Sequence, residues 1–272
     1  MDETMVALTR QNKARAIVPK EWKVAPCLTP EEKTKHITLM ICVNANGYHL
    51  PSTVILPDLQ NLPTGMNVII DELAWTSSDS GWVTDGIYDK WVESIFIPFV
   101  TSLRIIHHKP NAPVLLWMDG HGSRSSATSI NLLKASNITV IIIPAHTSHI
   151  TQPLDCGVNR AFKQWLKKHY IAPTSTSLPV VRESLMSAAA TAQYHAVAKN
   201  IIESSFAKAG LFPWNPDVIL NDPTKVNTSE PEHNPRAPVR QSARSISGQI
   251  LVSPNLVAHS LVQAIPTVST SL

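Results

Sequence analysis

Cysteine is scarce: Cys27, Cys42 and Cys156 are the three in 272 residues, widely spaced and without a C-x-x-C pair. An odd, dispersed set argues against both a disulfide framework and a thiolate zinc site, and suits a reducing compartment. Long apolar runs are missing as well. None approaches the roughly 20 residues that cross a bilayer, and the acidic start Met1-Asp2-Glu3-Thr4 lacks the basic-then-apolar order of a signal peptide. No membrane partner is expected. Net charge is small: a formal +3 permits a nucleic-acid partner without arguing for one. Internal repeats and a G-x-S-x-G elbow are absent, so Asp119, His121 and Ser123 make a poor nucleophilic set. What remains is a chain with 43% hydrophobic residues, enough for one good core.

The stretch 114–168 organises that chain. Val114-Leu115-Leu116-Trp117-Met118 is short, uncharged and apolar, as expected of a strand buried on both faces, with Asp119 at its exit. Residues 138–143 have the same character, and the interval between the two runs holds a helix, giving strand, helix, strand. Asp155 then opens a helix over 153–170. Leu154, Val158, Ala161, Phe162, Trp165 and Leu166 form its apolar stripe, while Arg160, Lys163 and Lys167 lie along another face.

Upstream, residues 36–43 and 52–56 read as an antiparallel strand pair around the turn Asn44-Ala45-Asn46-Gly47. Residues 9–35 read as irregular, and 57–81 as a long polar connection with a short strand at 67–70. Thr84 is the expected N-cap of a helix carrying Ile87, Trp91, Ile95 and Phe99, which Pro98 should kink or end. Downstream, 181–193 and 197–208 read as helices, the second closed by Gly210. Residues 221–272 have the composition of a disordered tail, leaving one domain over 1–220.

This order predicts an α/β fold, a mixed sheet flanked by helices, with acids at a strand exit and a helix start. Carboxylates gathered at a sheet rim repel unless they share a cation, and Mg²⁺ is a hard ion that bridges carboxylates to phosphate oxygens. Simpler readings stand beside that one. Asp155 suits a helix dipole and Asp119 a strand-exit turn. His121, His146 and His149 with Asp155 would suit zinc, although an H-x-x-H alone lacks a closing ligand. The basic face could be no more than a solvated helix side.

Two strings carry a resemblance: Leu115-Leu116-Trp117-Met118-Asp119-Gly120-His121-Gly122-Ser123, and Pro144-Ala145-His146-Thr147-Ser148-His149-Ile150-Thr151-Gln152-Pro153-Leu154-Asp155. Together they resemble the DDE endonuclease domain of pogo/Tigger-type transposases, which include jerky-like and centromere protein B-like proteins. Met1-Asp2-Glu3-Thr4 is similar to the end of that family's first strand, and Ser80-Gly81-Trp82-Val83-Thr84 to the start of its first helix. Phe206-Ala207-Lys208-Ala209-Gly210-Leu211-Phe212-Pro213-Trp214-Asn215-Pro216 resembles its C-terminal signature. Arg124 departs from the family pattern, in which His is common after Ser123.

The resemblance implies an RNase H-like fold with Asp2, Asp119 and Asp155 as catalytic and metal-binding residues holding Mg²⁺ or Mn²⁺, and DNA as substrate. Arg160, Lys163 and Lys167 are the expected phosphate contacts. It also implies a nuclear protein and admits a homodimer. Because only Met1 precedes Asp2, the first strand is expected to be truncated and the family's helix-turn-helix to be missing from this chain. The other reading is a catalytically inactive transposase remnant that binds DNA or proteins in the nucleus.

Overall fold

Residues 36–43 alternate between two apolar sets, and that period of two decides how the layers stack. The computed structural model describes residues 1–7, 36–57, 73–120, 126–171 and 178–222. Among these, strands Asp2–Ala7 (β1), His36–Ile41 (β2), Ser52–Pro57 (β3) and Leu73–Ser78 (β4) form a sheet in that order. β1 and β3 run antiparallel to β2, and β4 runs parallel to β3. Ile37, Leu39, Ile41 and Val43 pack with Val54, Leu56 and the second helical layer, while Met40, Cys42 and Ile55 pack with the first. β2 and β3 are buried on both faces, so the sheet is the middle of three layers. The expected turn joins them: Asn44 Oδ1 accepts from the Asn46 and Tyr48 amides at 3.0 Å, and Gly47 takes φ +88°.

The first layer begins at Asp85–Trp91 (α1), whose N-cap Thr84 accepts from the Ile87 amide as expected. Pro98 does not end this helix, because a π turn at Val92–Phe96 shifts the hydrogen-bond ladder just before it. Pro98 then falls in the first turn of Ile97–Ile106 (α2), a position that tolerates proline.

Strands Val114–Met118 (β5) and Ile138–Ile142 (β6) pair in parallel around helix Ala127–Ala135 (α3), the strand-helix-strand order expected. Arg104 ties this unit to α2, donating to the carbonyls of Ala112, Ser136 and Asn137 at 2.7–3.3 Å. Burial on both faces of β5 does not hold. Leu116 and Met118 are buried against the first layer, but Leu115 is 65% exposed and opens with Trp117 and Ile141 on an apolar trough of about 830 Å³.

The second layer contains Ser148–Thr151 (α4), a π turn at Leu154–Val158, then Asn159–His169 (α5), Leu178–Ala196 (α6), Lys199–Lys208 (α7) and Asp217–Leu220 (α8). The expected stripe is real: Leu154, Val158 and Phe162 are fully buried, with Ala161, Trp165 and Leu166 packed at their margin. Gly210 closes α7 at φ +67°, where a Cβ would stand 2.5 Å from the Asn215 carbonyl oxygen.

Three expectations need correction. Asp2 starts a six-residue strand, where Met1-Asp2-Glu3-Thr4 was expected to end one; β1 exists because it pairs with β2 from Asp2↔Ile41 to Ala7↔His36. The connection 57–81 contains β4, whose Leu73, Ala74 and Trp75 are buried and so outweigh the polar residues beside them. The described strands form two sheets, of four and two strands, and the Met1 ammonium joins them through the Trp117 carbonyl. The strand expected at 67–70, the irregular segment 9–35 and the tail, apart from Asn221 and Asp222, lie outside the described residues.

Gly157 sits where the π turn meets α7, and a Cβ there would lie 2.0 Å from Ser205 Oγ and 3.1 Å from Ser205 Cβ. Ser205 is fully buried and donates to the Ile201 carbonyl at 2.7 Å, so it has little room to turn away. Gly157→Ala is expected to destabilise the protein by about 1–3 kcal/mol in urea denaturation. Adding Ser205→Ala should recover part of that loss, because the hydroxyl is the closer obstacle.

Candidate active site

Leu154 and Val158 are locked into the core, which leaves Asp155, on the turn between them, exposed at the head of α5. One turn further on, Asn159 is only 4% exposed. Its Nδ2 donates to Asp155 Oδ1 at 3.0 Å and to Asp2 Oδ2 at 2.8 Å. Both protons of a single amide are thereby used on two carboxylates that stand 153 positions apart in the chain. Asp2 is 8% exposed, the first residue of β1.

Asp2 is held there from its neighbour. The Met1 ammonium donates to the Trp117 carbonyl of β5 at 2.9 Å, Trp117 Nε1 donates to the Thr151 carbonyl at 3.1 Å, and Gln152 Nε2 returns to the Met1 carbonyl at 3.1 Å. These bonds join β1, β5 and the segment leading into α5. Burial pushes the Cys42 thiol above its ordinary range, opposed by the nearby Met1 ammonium.

Asp119 follows β5, two residues beyond the Trp117 carbonyl that Met1 engages, and is half-buried. Asp2 and Asp155 are thus gathered by one amide, and Asp119 approaches from a separate element. Among the described residues no three His, Cys, Asp or Glu side chains converge as a metal-ligand group. The zinc reading for His146, His149 and Asp155 therefore has no geometry behind it, and both histidines are exposed. His121 lies outside the described residues.

Do the residues present fit a divalent cation? Asp2 and Asp155 offer hard oxygens, and sharing one nitrogen keeps the bonded pair of oxygens no further apart than the two bond lengths together. Asn159 Oδ1 is buried with no hydrogen-bond partner. Mg²⁺ is bound by one or two carboxylates while it keeps several waters, so this donor set fits. Beside it runs an open groove of about 400 Å³ lined by Asp155, Asn159, Arg160, Lys163, Gln164 and Lys167. The structure thus puts all three expected basic residues on the groove that begins at Asp155.

Asn159 and Gln152 were not singled out from the sequence. The available signal for Asn159 was its position four residues after Asp155, one helical turn, where side chains meet. Gln152 had no such signal, since its partner is the main chain of Met1.

A mixed sheet whose strand start and helix start bring two acids together beside a basic groove defines a carboxylate-based, oxygen-donor site. Residues 34–205, more than half of the chain, match the family described as DDE superfamily endonuclease, and the chain belongs to that family. Its relatives include the human Jerky protein homolog, 25% identical over 52% of this chain and 26% of that one. The human pogo transposable element with ZNF domain is 24% identical over 69% of this chain and 13% of its own length. A protein named MFS-type transporter clz9 from Cochliobolus lunatus is 30% identical over 82% of this chain but only 24% of that protein. No helix among the described residues is long and apolar enough to cross a membrane. A Mos1 transposase structure, the paired-end complex with left transposon end, aligns over 81% of this chain and 53% of that one with TM-score 0.47 and 12% identity. The chain spans about a quarter or less of the curated relatives it matches.

Gln152 is 1% exposed, and its bond to Met1 replaces water for that carbonyl. Gln152→Leu, close in volume, should destabilise the protein by about 1–3 kcal/mol by stranding a buried acceptor. Hydrogen exchange should quicken in β1 more than in β3.

Proposed function

We propose that this domain is a divalent-metal-dependent DNA endonuclease and strand-transfer domain of pogo/Tigger type, acting in the nucleus with Mg²⁺ or Mn²⁺ bound by Asp2, Asp155 and Asp119. The observation that carries this reading is the single Asn159 amide shared by Asp2 and Asp155 at the head of a groove bearing Arg160, Lys163 and Lys167. Members of the DDE superfamily generally use a divalent metal, and the oxygen-only donor set is of the kind Mg²⁺ and Mn²⁺ prefer.

A bound divalent cation would supply an activated water or 3′-hydroxyl and charge neutralisation at the scissile phosphate. The remaining work belongs to the chain. Asp2 and Asp155 present oxygens fixed by Asn159; Asp119, at the end of β5, would be the third carboxylate of the set. Arg160, Lys163 and Lys167, one and two turns along α5, hold the DNA backbone by charge and leave sequence unread. Homodimerisation would place two such grooves on two DNA ends.

A second reading, an inactive transposase remnant that binds DNA or proteins, is favoured by one observation. Asp119 does not join Asp2 and Asp155 in a three-ligand group among the described residues.

Nicking of supercoiled DNA separates the two. Activity that requires Mg²⁺ or Mn²⁺, is lost on chelation and falls at least about 100-fold in both Asp119→Ala and Asp155→Ala supports the endonuclease. Nicking that survives both substitutions overturns the assignment, and a wild-type protein that binds but never nicks DNA favours the remnant. For the groove, each of Arg160→Ala, Lys163→Ala and Lys167→Ala should weaken DNA binding uniformly across sequences. The slope of log affinity against log salt should fall by about 1 per residue removed.

A further inference from the structure

We infer that Asn159 is the positioning residue of this site: its side-chain amide fixes Asp2 and Asp155 in one arrangement and thereby sets the affinity for a divalent cation. The inference rests on the metal-site reading above and adds to it a residue that is neither an acid nor a cation.

Three observations carry it. Asn159 is 4% exposed, and its two amide protons go to carboxylates on different elements, Asp155 Oδ1 at 3.0 Å and Asp2 Oδ2 at 2.8 Å. The opposite amide orientation would aim a carbonyl at two carboxylate oxygens, so the bonding pattern itself determines which end faces them. The remaining atom, Oδ1, is buried without a hydrogen-bond partner, so the side chain is oriented by the two acids and by nothing on its other end. Hydrogen bonds to ionised acceptors are the stronger kind, and here two of them converge on one nitrogen.

The consequence is geometric. Asp2 belongs to a strand and Asp155 to a helix start, and with no donor between them their like charges would turn the side chains apart. With the amide in place, Oδ2 of Asp2 and Oδ1 of Asp155 are both held on one nitrogen. Loss of such an orienting partner typically weakens metal binding by about 10–100-fold.

The test measures Mn²⁺ binding to the full chain by electron paramagnetic resonance of the free ion, with DNA nicking followed across Mn²⁺ concentrations. Asn159→Leu keeps the branched heavy-atom outline of the side chain and removes the amide. Mn²⁺ affinity is expected to drop about 10–100-fold, with nicking at saturating Mn²⁺ returning to within a few-fold of wild type. Asn159→Gln, which restores an amide, should recover part of the affinity. Wild-type affinity in Asn159→Leu, beside lost affinity in Asp155→Ala, overturns the inference and leaves the metal site standing. Nicking that stays lost at saturating Mn²⁺ in a normally folded Asn159→Leu also overturns it, because the amide would then act beyond positioning. Wild-type affinity in Asp155→Ala overturns the metal site itself.

A readout in the otherwise unmodified protein covers the case in which the leucine variant does not fold. The Asn159 side-chain amide resonances of the metal-free protein should exchange slowly with solvent and shift in Asp155→Asn. Fast exchange, or resonances indifferent to that substitution, overturns the inference.

Discussion

Main-chain groups taken out of water must find partners, and at the junction of β1, β5 and the segment before α5 they find one another. Met1 donates to Trp117, the Trp117 indole donates to Thr151, and Gln152 donates back to Met1. A strand end, a second sheet and a helix approach are thus joined without a continuous β ladder between them. Everything proposed for the site depends on this closure. Asp2, Asp119 and Asp155 each lie within three residues of one of its members.

The helix α5 serves two purposes because its faces differ in chemistry. Leu154, Val158 and Phe162 go into the core, where the burial of each contributes on the order of 1.5–3 kcal/mol. That insertion holds the opposite face in register, so Asp155, Arg160, Lys163 and Lys167 line one groove. The same rigidity makes Gly157 intolerant of a side chain, since α7 packs directly on the turn. The two acids nearest this helix share an amide, whereas Asp119 comes from the end of β5, which the Met1–Trp117 hydrogen bond ties to the start of β1.

The chain belongs to the DDE superfamily endonuclease family through residues 34–205. The relatives differ widely in overall length, and the similarity covers about a quarter or less of each curated one. What they share with this chain is the matched region.

Residue order alone carried the local structure. The Asn44-to-Gly47 turn, the Thr84 cap, the strand-helix-strand unit around α3, the α5 stripe and the Gly210 stop all depend on neighbours within a few positions, and each formed as expected. The strings around Asp119 and Asp155 pointed to the family for the same reason: they are contiguous. Long-range pairing was not legible. β1 exists through its partner β2, β4 through buried contacts that outweigh its polar flanks, and Pro98 is absorbed by a π turn that no propensity signals. Asn159 shows the limit most plainly. Its sequence neighbours suggest a polar residue at a helix start, but its partner Asp2 lies 157 positions away, and only packing the sheet against α5 turns a side-chain amide into the link between two acids.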